Sequence, residues 1–103
     1  MSERIQLLKK FLEDDPSDPF TLYALALEYV KIDPQKAMDT FHLLLADHGE
    51  YLPAYYQLAK LYESHGQLKN AAMTYEKGIL IAKKQNDLKT LRELASAREE
   101  IDG

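Results

Sequence analysis

Apolar positions along this chain recur with the period of a helix. Leu22, Leu25, Ala26 and Tyr29 follow the i, i+3, i+4, i+7 spacing of one buried stripe, and Tyr55, Leu58, Ala59 and Tyr62 repeat it 33 positions later. A second set, Ala37, Phe41 and Leu44, recurs 34 positions later as Ala71, Tyr75 and Gly78. The register therefore slips by one residue between the sets, which predicts a turn inside each unit, one residue shorter in the first. A repeated helix pair cannot bury its apolar face alone, so the pattern predicts units that stack and hold another polypeptide.

Local signals divide the chain into six helices. Residues 4–12 form a helix with Ile5, Leu8, Phe11 and Leu12 on one side, closed by Asp14-Asp15-Pro16. Asp18-Pro19 opens the next helix, over 19–31, with Asp18 capping free N–H groups and Pro19 at the first helical position, where its missing donor costs nothing. Asp33-Pro34 repeats the device for a helix ending near Asp47, with Gly49 placed for a left-handed C-cap. The next pair spans 52–64 and 68–84 around the turn His65-Gly66-Gln67. Asn86-Asp87 then starts a last helix, over 88–101, with a thin apolar face of Leu88, Leu91, Leu94, Ala95 and Ile101.

The motif Tyr55-x-x-Leu58-Ala59-x-x-Tyr62, followed by Ala71, Tyr75 and Gly78, resembles a tetratricopeptide repeat (TPR). Leu22, Leu25, Ala26, Tyr29, Ala37 and Phe41 carry the same pattern, with Leu22 in place of the aromatic and Leu44 in place of the final small residue. The resemblance implies an all-α, TPR-like α-solenoid of antiparallel helix pairs in a right-handed superhelix with a C-terminal capping helix. It covers nearly the whole chain as one domain: a half repeat (1–17), repeat 1 (18–51), repeat 2 (52–85) and a capping helix (86–103). Arg92 in the slot of Ala59 suits a cap with a wet outer face. The small residues also have a reason of their own, because helices 8–10 Å apart need short side chains where their backbones approach most closely.

At 100° per residue, the side of the first helix opposite its stripe carries Phe20, Tyr23, Leu27 and Lys31. The equivalent side of the next unit carries Tyr56, Gln57 and Lys60, and that of the last helix Lys89, Glu93 and Ala97. The resemblance implies that these faces line a concave groove. Aromatic rings, apolar side chains and lysines suit a peptide with an apolar anchor and carboxylates. Ten of the thirteen residues at 20–32 are apolar, more than one buried face requires. The expected activity is non-catalytic protein or peptide binding, and the alternative is a homo-oligomeric scaffold, such as a homodimer formed through exposed apolar faces.

Composition narrows the partners. Thirteen basic against seventeen acidic residues give a net charge of −4, which offers no field for phosphate backbones, so nucleic acid is not expected. The longest apolar run, Leu22 to Leu27, is far too short to span a bilayer, so no membrane is expected and the cytoplasm is the default location. Cysteine is absent, and His42, His48 and His65 share no helical face, so no metal, cofactor or enzyme activity is expected. Ser64 and His65, adjacent on a helix end, are expected to point apart.

Overall fold

Aspartates set where the helices begin. In the computed structural model, which describes residues 2–102, Asp18 Oδ2 accepts from the Thr21 backbone N–H at 3.1 Å and from the Thr21 hydroxyl, ahead of α2 (Pro19–Ile32). Asp33 Oδ1 accepts from the Lys36 N–H at 3.2 Å, ahead of α3 (Pro34–Asp47). Ser2 does the same for α1 (Glu3–Asp14), and Asp87 for α6 (Leu88–Asp102). Between them lie α4 (Leu52–Ser64) and α5 (Leu68–Gln85). All regular elements among the described residues are helices.

The turns inside the two helix pairs differ by two residues rather than one. Asp33 alone joins α2 to α3, ending one helix through its N–H to the Tyr29 carbonyl at 2.7 Å and capping the next. The α4–α5 turn needs His65, Gly66 and Gln67, with Gly66 at φ 73°. Helix α2 runs one residue further than α4 in the aligned numbering, which accounts for the second residue. Gly49 is not the left-handed cap that sequence suggested. Helix α3 is instead C-capped by His48, at φ −133°, whose Nε2 lies 2.7 Å from the Ser17 carbonyl. The left-handed C-cap belongs to Asn86, at φ 58°, after α5.

The chain divides into two compact units, residues 1–54 and 55–103. In the first, α2 packs against α3 on one side and α1 on the other. Ala26 and Ala37 lie fully buried between Leu25, Tyr29 and Phe41, as the close approach of two backbones requires. Helix α1 buries Ile5 and Leu8, but Phe11, expected on the same packed side, is 52% exposed and shares an open face with Leu7. Phe11 stays open because, among the described residues, α2 is the one helix packed closely on α1, and one such neighbour buries one narrow stripe.

In the second unit α5 packs against α6, and Tyr75 is wholly buried. An added Cβ on Gly78 would lie 2.9 Å from Tyr55 Cβ and 3.1 Å from Leu94 Cδ1, so α4, α5 and α6 approach one another closely at this position. The packed side of α6 carries Leu94 and Ala97, whereas Leu88 and Ala95, expected there, are exposed. Leu94 points into the slot beside Gly78, and this anchor sets the rotation of α6. Arg92 is exposed.

Two pH effects follow. The Tyr75 phenol is held well above its ordinary range by burial and then by its bond to Glu63, Tyr62 is raised by burial, and Tyr51 by burial and the Asp18 charge. The folded chain thus keeps protons that the unfolded chain releases near pH 10, so stability falls as pH rises above about 10. Asp87 is lowered by hydrogen bonds from the Thr90 N–H and hydroxyl. Its contribution is present above the carboxylate's unfolded value and is lost as pH falls through the lower folded one. Urea midpoints measured from pH 3 to pH 11 are expected to show both declines, with Tyr75→Phe flattening the alkaline one and Asp87→Asn the acid one.

Candidate binding faces

The side of α2 opposite its packing stripe carries an aromatic cluster. Tyr23 rests on the buried Phe41 ring with centroids 6.3 Å apart, and against Tyr51 at 5.3 Å. Phe20 meets Tyr51 edge to face at 5.9 Å and 78°, yet is itself 71% exposed. The core thus supports Tyr23, Tyr23 supports Tyr51, and Tyr51 holds an apolar ring in solvent, an arrangement that fixes the ring without covering it. Leu27 continues the face half-buried, and Lys31 lies exposed at its end. Lys31 Nζ is 3.4 Å from Glu28 Oε2, the same oxygen that Arg4 of α1 approaches at 3.6 Å.

The second unit presents a closed loop of four side chains. The Tyr75 hydroxyl donates to Glu63 Oε2, Lys60 Nζ lies 3.7 Å from the same oxygen and 5.6 Å from the Tyr56 ring centroid, and Tyr56 meets Tyr75 edge to face at 6.2 Å. A core tyrosine thereby fixes a surface lysine through one carboxylate. Beside it opens a shallow groove of about 340 Å³, lined by Tyr56 and Lys60 from α4 and by Glu93, Ser96, Ala97 and Glu100 among others from α6. Gln57 is half-buried on the same helix. Lys89 pairs with Glu93 at 3.8 Å.

Three details differ from what the sequence suggested. Ala97, expected on the open face, is 6% exposed and forms part of the groove floor. Tyr23 and Tyr56 are half-buried on core rings rather than free of the packing. Each proposed cation, Lys31, Lys60 and Lys89, already has a carboxylate on its own helix. Tyr51 is the residue missed, since it lies in the loop before α4, where no periodicity assigns a face.

Ser64 and His65 also meet, with Oγ 3.0 Å from Nδ1, because α4 ends at Ser64 and the imidazole folds back over the last turn. Nδ1 also lies 3.1 Å from the Leu61 carbonyl. The hydroxyl itself donates to Leu61 O at 2.7 Å. The pair caps the helix end and lacks the geometry of an activated nucleophile. Among the described residues no three His, Asp or Glu side chains gather as a metal site, and no helix is long and apolar enough to cross a membrane.

No family sequence profile and no curated protein sequence matches the chain. Solved structures do. The solution structure of a tetratricopeptide repeat domain protein from Salinibacter ruber is 40% identical, over 86% of this chain and 91% of its own, with a TM-score of 0.81. A protein from Bordetella parapertussis, 18% identical, shares the fold over 99% of this chain and 90% of its own, with a TM-score of 0.84. MamA is 26% identical over 95% of this chain and 66% of its own, with a TM-score of 0.68.

Proposed function

The chain belongs to the tetratricopeptide repeat family, and from that membership we propose that it is a non-catalytic module that binds a peptide or protein segment through the open faces of its first helices. The α-solenoid fold supports the general role of holding another polypeptide. The observation that carries the finer reading is Phe20, an apolar ring mostly in solvent although Tyr51 and Tyr23 hold it from behind. Phe20, Tyr23 and Leu27 supply apolar contact in the first unit, and Tyr56, Gln57 and Lys60 in the second, with Lys31 and Lys89 at the margins.

The preferred ligand carries an apolar anchor and carboxylates. A ligand carboxylate competes with Glu28, Glu63 and Glu93 for lysines already oriented, so charge contributes more to specificity and encounter rate than to affinity. Rigid aromatic side chains provide area at low entropy cost and are frequent hot spots.

Selection from a random peptide library against the purified chain is expected to enrich apolar residues flanked by Asp or Glu. With such a peptide, Phe20→Ser should weaken binding by about 2 kcal/mol while leaving the melting temperature nearly unchanged. Lys60→Glu should slow association and reduce its salt dependence. Tyr56→Ala is a poorer probe, since it also removes packing from Tyr75. Undiminished binding by both Phe20→Ser and Lys60→Glu would place recognition elsewhere.

A further inference from the structure

Helix α5 keeps a second exposed surface that the binding faces do not use. Lys69, Met73, Lys77, Leu80 and Lys84 fall within roughly 80° of arc at the helical period, and all five are exposed, Leu80 by 60%. A cleft of about 430 Å³ opens beside this stripe, with Leu80, Ile81 and Tyr55 as its apolar lining and Lys77, Lys83 and Lys84 around it. Unlike the lysines of the binding faces, these three form no ion pair among the described residues. An apolar floor ringed by unpaired ammonium groups calls for a bulky apolar side chain between carboxylates.

The chain carries such a surface itself. On the open side of α1, Leu7 and Phe11 stand one turn apart, each about half exposed, with Glu3 before them and Asp14 and Asp15 after them. None of these three carboxylates forms an ion pair among the described residues. The nearby cations are mostly engaged: Arg4 pairs with Glu28, Lys9 lies over the Tyr29 ring at 6.0 Å, and Lys10 stands at the edge of the stripe.

We propose that the chain self-associates head to tail, the α1 face of one copy seating Phe11 in the α5 cleft of a second copy with Asp14 and Asp15 against its lysines. Charge selects this mode over a symmetric dimer. An α1-to-α1 contact sets carboxylates against carboxylates and an α5-to-α5 contact sets lysines against lysines, whereas the heterologous contact pairs opposite charges. The surfaces are distinct from the peptide-binding faces, so self-association and peptide binding are separable by mutation.

Sedimentation of the full chain from micromolar to millimolar concentration tests this. The parent is expected to gain mass with concentration, less so in high salt. Phe11→Ser and Leu80→Glu should each weaken association more than about tenfold and remain folded, since both side chains are at least half exposed. The decisive sample is their equimolar mixture. Each variant keeps one intact face, so the mixture should form a one-to-one dimer and nothing larger. A parent that stays monomeric throughout, a mixture that stays monomeric, or a Leu80→Glu variant that assembles like the parent would each overturn the proposal. A monomeric parent that binds phosphatidylserine vesicles through Leu80 would overturn it in favour of an anionic membrane surface.

Discussion

Gly78→Val is expected to destabilise the chain by about 3 kcal/mol, the more informative of two large core effects. The new Cβ falls 2.9 Å from Tyr55 Cβ, an atom fixed to the backbone of α4, and 3.1 Å from the Leu94 methyl of α6. Leu94 Cδ1 is the far end of a side chain and can yield by a few tenths of an ångström, but Tyr55 Cβ moves only if α4 and α5 separate. Replacing a helical glycine gains at most about 1 kcal/mol of helix propensity, and valine's branched Cβ gives part of that back. Gly66→Ala is the control: nothing lies within 4 Å of its added Cβ, and its φ of 73° alone costs about 1 kcal/mol. Urea unfolding of both variants reads the difference. A Gly78→Val variant as stable as the parent would mean that α4, α5 and α6 do not meet at this glycine.

Phe41→Ala is expected to cost about 3–5 kcal/mol and to loosen the binding face as well. Phe41 is fully buried, and its ring is the support on which Tyr23 rests. Removing it leaves a cavity beneath Tyr23, and the Tyr23–Tyr51–Phe20 contacts then lose their fixed geometry. Urea unfolding should show the loss of stability, and near-ultraviolet circular dichroism a loss of tyrosine signal beyond that of Phe41→Leu, which fills most of the volume. A stability change below about 1 kcal/mol would contradict the packing of α2 on α3.

Much of this fold was legible because it depends on period and on punctuation. The stripes Leu22 to Tyr29 and Tyr55 to Tyr62 are buried as their spacing requires, and Asp18, Asp33 and Asp87 cap the helices they precede. What escaped depends on neighbours that a period cannot name. Nothing in the spacing of α6 chooses between Ala95 and Ala97, and the choice is made by Leu94 lodging beside Gly78. Phe11 continues the stripe of Ile5 and Leu8, but among the described residues no second helix packs closely on α1 to bury it. Tyr51 stands outside any helix, so its place between Phe20 and Tyr23 is visible only in three dimensions. Lys31, Lys60 and Lys89 lie on helix surfaces, but their pairing with Glu28, Glu63 and Glu93 depends on rotamers, which no period encodes.

The central claim, that recognition belongs to the open faces of the first helices, is tested most directly by mapping amide shifts of the labelled, monomeric chain as a library-selected peptide is added. The expected result is a set of perturbed amides around Phe20, Tyr23 and Tyr51 in the first unit and around Tyr56, Lys60 and Lys89 in the second, with α3 and the outer side of α5 unmoved. Perturbations confined to α3 and the Met73–Leu80 side of α5, with the aromatic faces silent, would contradict it.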